Sequence, residues 1–417
     1  MNPIQAALVY SLWGIITYFF MVMTLTFLKN RNSLYDNAFF VDSPMVSIVV
    51  PAFNEEEGIE ETIKSLLSID YENLEIIVVN DGSTDRTMEI VEKHAIDSRI
   101  VLINNEKNIG KAASLNKGIE KAKGEFVACV DADTTLSKNV IKKTLPYFSN
   151  PDVASVVARI KVKRPRNWLE RIIDVEYNLG LGFYLKLFSF LNCLYLTPGQ
   201  FSIYRKKILE EINGFDENSI VEDTEIAYRI QKRNYKIVCC LSAVAYTSVP
   251  RNIKTLYYQR KRWYSGTLMT ILKHRDVFFN KNLGNFGLFF MPINYGGIIL
   301  GVMLFLSTLY LMVSSILSYM SNIRLIGYDF STLTMNFIQN PSIDPLCISI
   351  FYFLGISPFI MNVVMNYLGM RSLGENIKEN LFGFVCFLFF FIPYHIFWLI
   401  ALYFVTLKKE VKWRESM

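Results

Sequence analysis

Phe126-Val-Ala-Cys-Val-Asp-Ala-Asp133 decides how the fold is read. Its five leading apolar residues suit a buried strand, and the strand stops at two carboxylates. Side chains alternate along an extended segment, so Asp131 and Asp133 fall on one side of it. The same order occurs three times upstream. Val46-Ser-Ile-Val-Val50 runs into Pro51-Ala-Phe-Asn-Glu-Glu56, Leu74-Glu-Ile-Ile-Val-Val79 into Asn80-Asp-Gly-Ser-Thr-Asp85, and 100–103 toward Asn108-Ile-Gly-Lys111. Charged helical patterns fill the intervals. Strand, loop and helix in repetition predict an α/β fold with a parallel sheet and helices on both faces. In such sheets ligands collect beyond the carboxyl ends of the strands, where all four polar loops fall.

Each loop has a chemical and a plain structural reading. Asp81, presented by the turn at Gly82, can accept hydrogen bonds from a nucleobase or ribose, or can close an Asx turn. Asp131 and Asp133 can hold Mg²⁺ or Mn²⁺, with a diphosphate supplying further oxygens. Ser219-Ile-Val-Glu-Asp-Thr-Glu225 precedes a helical run at 226–233. Its acids either cap that helix or offer Glu222 and Asp223 for general-base work. Lys111 is a phosphate contact or an exposed helix start. Gly199-Gln200-Phe-Ser-Ile-Tyr-Arg205 floors an acceptor site or turns tightly into a strand. Gln259-Arg-Lys-Arg-Trp263 has the spacing Gln-x-x-Arg-Trp, which suits a diphosphate and a sugar on one helical turn, or a lipid-headgroup anchor.

The 417 residues are 52% hydrophobic and 14% aromatic, unevenly spread, with a net charge of +5. That mild charge suits anionic lipid or a phosphorylated substrate, and no clustered run of basic residues or RNA-binding signature points to nucleic acid. The six cysteines form no C-x-x-C pair, and the three histidines have no zinc-like spacing, so neither a disulfide framework nor a His/Cys metal centre is expected. Residues 8–28 are almost unbroken apolar sequence followed by Lys29 and Arg31. This predicts a retained anchor, with the next domain in the cytoplasm. Further apolar stretches lie at about 288–318, 346–368 and 381–405. Four crossings would put Lys408, Lys409, Lys412 and Arg414 outside. Either one stretch is re-entrant or interfacial, or the tail breaks the positive-inside rule. Residues 253–273 and 168–190 read as interfacial amphipathic helices; the second suits an ordinary domain helix equally well. The expected organisation is an anchor at 1–31, a catalytic domain at 45–245, interfacial helices at 246–285, a membrane region at 286–407 and a basic tail at 408–417.

Together these residues resemble the membrane-integrated, processive family 2 glycosyltransferases, the group of poly-N-acetylglucosamine, hyaluronan, chitin and cellulose synthases. The likeness covers nearly the whole chain. It implies a GT-A (Rossmann-like) domain inserted between transmembrane helices, with interfacial helices beside it. Ala52, Asn54 and Glu55 look like the first-strand motif around uracil, and Asp81 like the uridine-binding Asp. Asp131 and Asp133 match D-x-D, with Asp133 as the metal ligand. Val221-Glu-Asp223 looks like Thr-Glu-Asp with Val in place of Thr, making Asp223 the base. Gln259, Arg262 and Trp263 match Q-x-x-R-W, and Gly199 and Gln200 are similar to an acceptor-site segment.

The implied reaction is single displacement with inversion. A UDP-sugar, UDP-N-acetylglucosamine first and UDP-glucose second, donates to a growing β-linked polysaccharide at the cell membrane. Export is coupled to synthesis, and an accessory membrane subunit is possible. Asn294, Gly296, Gly297 and Asn362 either line an exit path or pack helices. Ceramide glucosyltransferases share the same motifs and make a single glycolipid, which keeps a lipid acceptor open. A non-catalytic scaffold would tolerate Asp133→Asn and Asp223→Asn. Dolichyl-phosphate-type enzymes are not expected to carry Q-x-x-R-W.

Overall fold

The computed structural model describes residues 3–35, 43–325, 350–389 and 391–409. Cys347 and the tail charges Lys412 and Arg414 lie outside them. Eight strands form one sheet: β1 (Val46–Ala52), β2 (Leu74–Asn80), β3 (Ile100–Asn104), β4 (Phe126–Cys129), β5 (Thr135–Leu136), β6 (Val153–Val162), β7 (Ser202–Arg205) and β8 (Lys236–Thr247). The helices are α1 (Pro3–Asn30), α2 (Ile59–Leu67), α3 (Thr87–His94), α4 (Lys111–Lys121), α5 (Val140–Thr144), α6 (Trp168–Asn178), α7 (Leu185–Phe190), α8 (Lys206–Glu211), α9 (Glu222–Lys232), α10 (Ile253–Lys273), α11 (Met291–Leu325), α12 (Ile350–Ser372), α13 (Leu381–Leu388) and α14 (Phe391–Thr406).

The sheet order is β3-β2-β1-β4-β7-β6-β8-β5. The first four strands are parallel, as expected, with Val50 opposite Val78 and Ile48 opposite Ala128. The sheet as a whole is mixed, which corrects the all-parallel expectation. β7 runs antiparallel to both β4 and β6, pairing Cys129 with Ser202 and Phe126 with Arg205. The reason is local. The chain reaches β7 from the turn at Pro198–Phe201, beside the carboxyl end of β4, so it can only run back down the sheet. That turn therefore stands next to Asp131.

β1 and β2 are buried along nearly their whole length, which is why they read as continuous apolar runs rather than alternating ones. Each fully buried Val or Ile contributes roughly 1.5–3 kcal/mol of transfer free energy. α6 begins with a capping box, Asn167 and Glu170 each accepting from the other's backbone N–H. It sends Leu169, Ile173 and Tyr177 into the core of the sheet. A π-helical stretch at Leu179–Tyr184 joins it to α7. The five described cysteines are free thiols, four of them buried.

The chain divides into two compact units, Met1–Thr24 with Pro292–Met365 and Leu25–Met291 with Asn366–Met417. In the first, Trp13 Nε1 donates to Ser357 Oγ at 3.0 Å and Thr24 approaches Met365 Sδ at 3.2 Å. In the second, α10 packs against α9 and α14, and α13 against α6. Two stretches among the described residues, Ala6–Ser33 and Phe286–Ser318, are long and apolar enough to cross a bilayer.

Candidate active site

The first two loops are stitched into one. Asn54 takes a left-handed conformation (φ 53°). Its Oδ1 accepts from the Thr84 N–H at 2.8 Å, and its own N–H donates to Ser83 Oγ at 3.1 Å. The Glu55 N–H donates to Thr87 Oγ1 at 2.8 Å. Ala52 is buried at the end of β1 and accepts from the Asp81 N–H. Asp81 is itself buried. Its carboxylate accepts from the Ile109 and Gly110 N–H groups at 2.9 Å and from Asn105 Nδ2 at 3.0 Å. Those bonds hold the loop that leads into α4 and so aim Lys111.

Lys111 starts α4 and points across the end of β4. Its ammonium lies 2.7 Å from Asp131 Oδ1 and 2.7 Å from Glu222 Oε1. Burial pulls the ammonium pKa down, but the Asp131, Glu222 and Asp223 carboxylates outweigh it and hold Lys111 well above the usual lysine range. Gly199 sits on this ion pair: a Cβ there would fall 2.7 Å from Lys111 Nζ and 3.1 Å from Asp131 Oδ1. Gln200 beside it is half-buried. Lys111, Asp131, Thr197, Gly199, Glu222 and Asp223 line one cavity, floored by Cys129 and Tyr204.

Glu222 and Asp223 open α9, where the positive end of the helix favours anions. Their environments then push them apart. Burial raises the Glu222 pKa, but Lys111 and then Arg262 outweigh it and leave the group below the ordinary range. Burial first, and the Glu222 charge second, push Asp223 up to about 6. Asp223 is oriented by its own helix start: Oδ1 accepts from the Thr224 N–H at 2.8 Å, and its carbonyl accepts from Thr197 Oγ1 at 2.8 Å.

Asp133 has a different setting. Its Oδ1 meets two neutral hydroxyls, Thr134 at 3.3 Å and Thr247 at 3.5 Å. Burial and the Asp131 charge push it up to about 6. No cluster of three His, Cys, Asp or Glu donors exists among the described residues. A caged structural metal therefore does not fit. A divalent cation held by one carboxylate and completed by phosphate oxygens does fit, because a buried carboxylate beside a second one favours added positive charge.

α10 carries the Gln-x-x-Arg-Trp residues and is seated on the acid-bearing loop. A Cβ at Gly266 would lie 2.6 Å from Val221 Cγ1. Arg262 is near enough for its charge to act on both Glu222 and Asp223. Gln259 Oε1 is buried with no hydrogen-bond partner among the described residues. Trp263 is half-buried against the sheet core. The Asp81, Asp133, Gln259, Arg262 and Trp263 side chains stay outside the cavity lining, whereas Lys111, Asp131, Gly199 and the start of α9 share it at the carboxyl end of β4. Sequence reasoning missed Thr197, Glu176 and Arg260. Only Arg260 left a signal, its i,i+3 spacing from Trp263.

The sequence profile described as "Glycosyl transferase family 2" matches residues 47–213. A poly-beta-1,6-N-acetyl-D-glucosamine synthase of Staphylococcus epidermidis is 30% identical over 229 residues, 55% of this chain and 56% of the relative. The enzyme of the same name from Staphylococcus aureus (strain COL) is 28% identical over 247 residues, 59% of this chain and 60% of the relative. The chain thus aligns with under two thirds of either relative's length. Among solved structures, the mannosyltransferase PcManGT from Pyrobaculum calidifontis, in complex with GDP-Man and Mn2+, superposes with a TM-score of 0.60 at 21% identity. That superposition covers 82% of this chain and 98% of the other, and it is a likeness of fold. Through its domain at 47–213, the chain is similar to the family 2 glycosyl transferases.

Proposed function

We propose that the chain is an inverting glycosyltransferase that moves a sugar from a UDP-sugar, UDP-N-acetylglucosamine first, onto a growing β-linked polysaccharide at a membrane. The observation that carries this reading is the division of labour between consecutive acids in one cavity: Glu222 is held ionised by Lys111, while Asp223 is poised near neutrality. Separation of that kind marks a general base. The terminal hydroxyl of the acceptor attacks the anomeric carbon, Asp223 takes its proton, and the bond to the diphosphate breaks on the opposite face. Arg262 meets the diphosphate with its planar fork. The loops at Ala52–Glu55 and Asp81 form the wall for the uracil and ribose. A divalent cation on Asp133 would supply charge neutralisation on the leaving diphosphate.

We read 381–406 as lying in the interface rather than crossing it. α14 has 16 residues, about 24 Å of helix against roughly 30 Å of hydrocarbon. It lies on α10, with Tyr264 against Tyr394, Phe397 and Trp398. Asn380, just before α13, donates to the Arg171 carbonyl of α6 at 3.0 Å. The connector after α12 is tied to the sheet by Lys161 to Glu375 at 2.7 Å and Arg159 to the Leu373 carbonyl at 3.1 Å. Crossings by α1, α11 and, as the apolar stretch at 346–368 leads one to expect, a third segment then leave the basic tail on the catalytic side, in keeping with the positive-inside rule. A Ser416→Cys variant should resist a membrane-impermeant maleimide in intact cells; labelling from outside overturns this topology.

Function is tested by UDP release from the purified full chain across a panel of UDP-sugars, with product length read by size. Polymer from UDP-N-acetylglucosamine is expected. A single glycolipid would move the chain to the lipid-modifying enzymes, and no UDP release from any donor would sink the reading.

A further inference from the structure

We propose that Arg260 is a positioning residue for the acceptor: it covers one face of the Trp263 indole and so presents the other face to a sugar ring. This rests on the glycosyltransferase reading above. Arg260 and Trp263 are three apart on α10, so their side chains are neighbours on one face of the helix. The guanidinium stands over the indole, 4.5 Å from the ring centroid. It is only 2% exposed, and its Nη2 donates to Glu176 Oε2 at 2.7 Å. Glu176 belongs to α6, and it also hydrogen-bonds Tyr394 of α14. The orientation of Trp263 is thereby set by the catalytic unit, not by its own helix alone.

The three adjacent cations have separate placements. Arg260 lies on an aromatic face and pairs with Glu176. Lys261 lies over Tyr258 and Phe404, 5.5 and 4.6 Å from the ring centroids. Arg262 acts on the catalytic acids. An indole at a membrane surface has an alternative, to swing into the headgroup layer where tryptophan is favoured. A stacked guanidinium opposes that swing, because leaving would strip a buried cation of its ring contact. A planar cation is required: an ammonium would keep the charge but not the flat contact.

The test compares Arg260→Met and Arg260→Lys with the parent as full-length protein. UDP release from UDP-N-acetylglucosamine is followed while a β-1,6-linked N-acetylglucosamine tetramer is titrated. The acceptor KM is expected to rise roughly tenfold in both variants, corresponding to loss of a desolvated cation–π contact, while the donor KM stays unchanged. Glu176→Gln should give the same split. An unchanged acceptor KM overturns the proposal. Equal losses for donor and acceptor reduce Arg260 to a structural role and also overturn it. If the parent itself turns over no UDP-sugar, the functional reading fails instead. The inference is then read from acrylamide quenching of the Trp263 component, obtained by difference against Trp263→Phe. Quenching should rise in Arg260→Met, and unchanged quenching overturns it.

Discussion

Lys111 places its ammonium 2.7 Å from Glu222 Oε1 and so keeps ionised the acid that precedes the proposed base. The next residue, Asp223, makes no ion pair among the described residues. Asp223 carries the cost of its burial and of the Glu222 charge, and its pKa is pushed up to about 6. Asp223→Asn is therefore expected to lower transfer by about 10²–10⁴-fold, the range of general-base catalysis. The fold should not suffer. A carboxyl whose folded pKa is raised is least costly when protonated, so its penalty grows as pH climbs from about 4 to about 6. Thermal unfolding at pH 7 should show the Asn variant at least as stable as the parent. A variant with full turnover would remove Asp223 from the mechanism.

The same shift sets the pH profile. Asp223 must be ionised to accept a proton, and Asp133, which shares Asp131 as a charged neighbour, titrates in the same range. kcat/KM should fall on the acid side of about 6, by about tenfold per pH unit once one proton blocks the reaction. The apparent value belongs to the interacting acids as a set. Steady-state rates between pH 5 and 8 check this, and a flat profile would contradict the assignment of the base.

Lys111 lies between two carboxylates, so removing it leaves buried negative charge without compensation. Lys111→Met should cost about 3–5 kcal/mol in denaturant unfolding, the usual consequence of breaking one side of a buried pair. Lys111→Met with Glu222→Gln should recover part of that loss, because the orphaned charge is gone. Additive losses in the double variant would show that the pair contributes little.

How far the sequence revealed this site follows from the range of each interaction. Strands β1 to β4 and their loops were legible because β-branched runs stop abruptly at polar residues, and Asp81, Asp131 and Asp133 sit at those stops. The antiparallel course of β7 was not, since direction depends on where the turn at Gly199 meets the sheet. The role of Asp81 in bonding Asn105, Ile109 and Gly110 could be half-anticipated, as an Asx-type closure. The Arg260–Glu176 pair spans 84 positions, and no local pattern connects residues so far apart. The sequence offers Lys111 as a phosphate contact or an exposed helix start; in the structure it lies between Asp131 and Glu222.

Glu225 ties α9 to the end of α10. It is buried, accepting from Arg229 Nε at 2.7 Å, from Lys273 Nζ at 3.1 Å, and meeting His274 Nε2 at 3.1 Å. Burial raises its pKa, but the His274, Arg229 and Lys273 contacts outweigh it and bring the group down to about 2. A depressed carboxylate stabilises the fold above its unfolded value, about 4.3, and that stability is lost as pH falls through about 2. Urea midpoints measured from pH 7 down to 3 should decline for the parent and stay flatter for Glu225→Gln, which starts lower. Parallel curves would show that Glu225 does not carry the acid sensitivity.

Gly266 sets how closely α10 approaches the acidic loop. A Cβ there would stand 2.6 Å from Val221 Cγ1 and 2.8 Å from Cγ2. Val221 is buried at the start of α9, and a β-branched side chain has little freedom to rotate away. Gly266→Ala must therefore shift α10 or the loop by some tenths of an ångström. Overpacking of this kind costs about 1–3 kcal/mol. The larger effect should fall on kcat, because Arg262 and Asp223 move apart while the proposed uracil wall at Ala52–Glu55 and Asp81 is untouched. Val221→Ala removes both clashing methyls, so the double variant should regain stability and rate relative to Gly266→Ala alone. A Gly266→Ala protein with parental kcat and unfolding temperature would mean that α10 does not need this close seat to serve the acids.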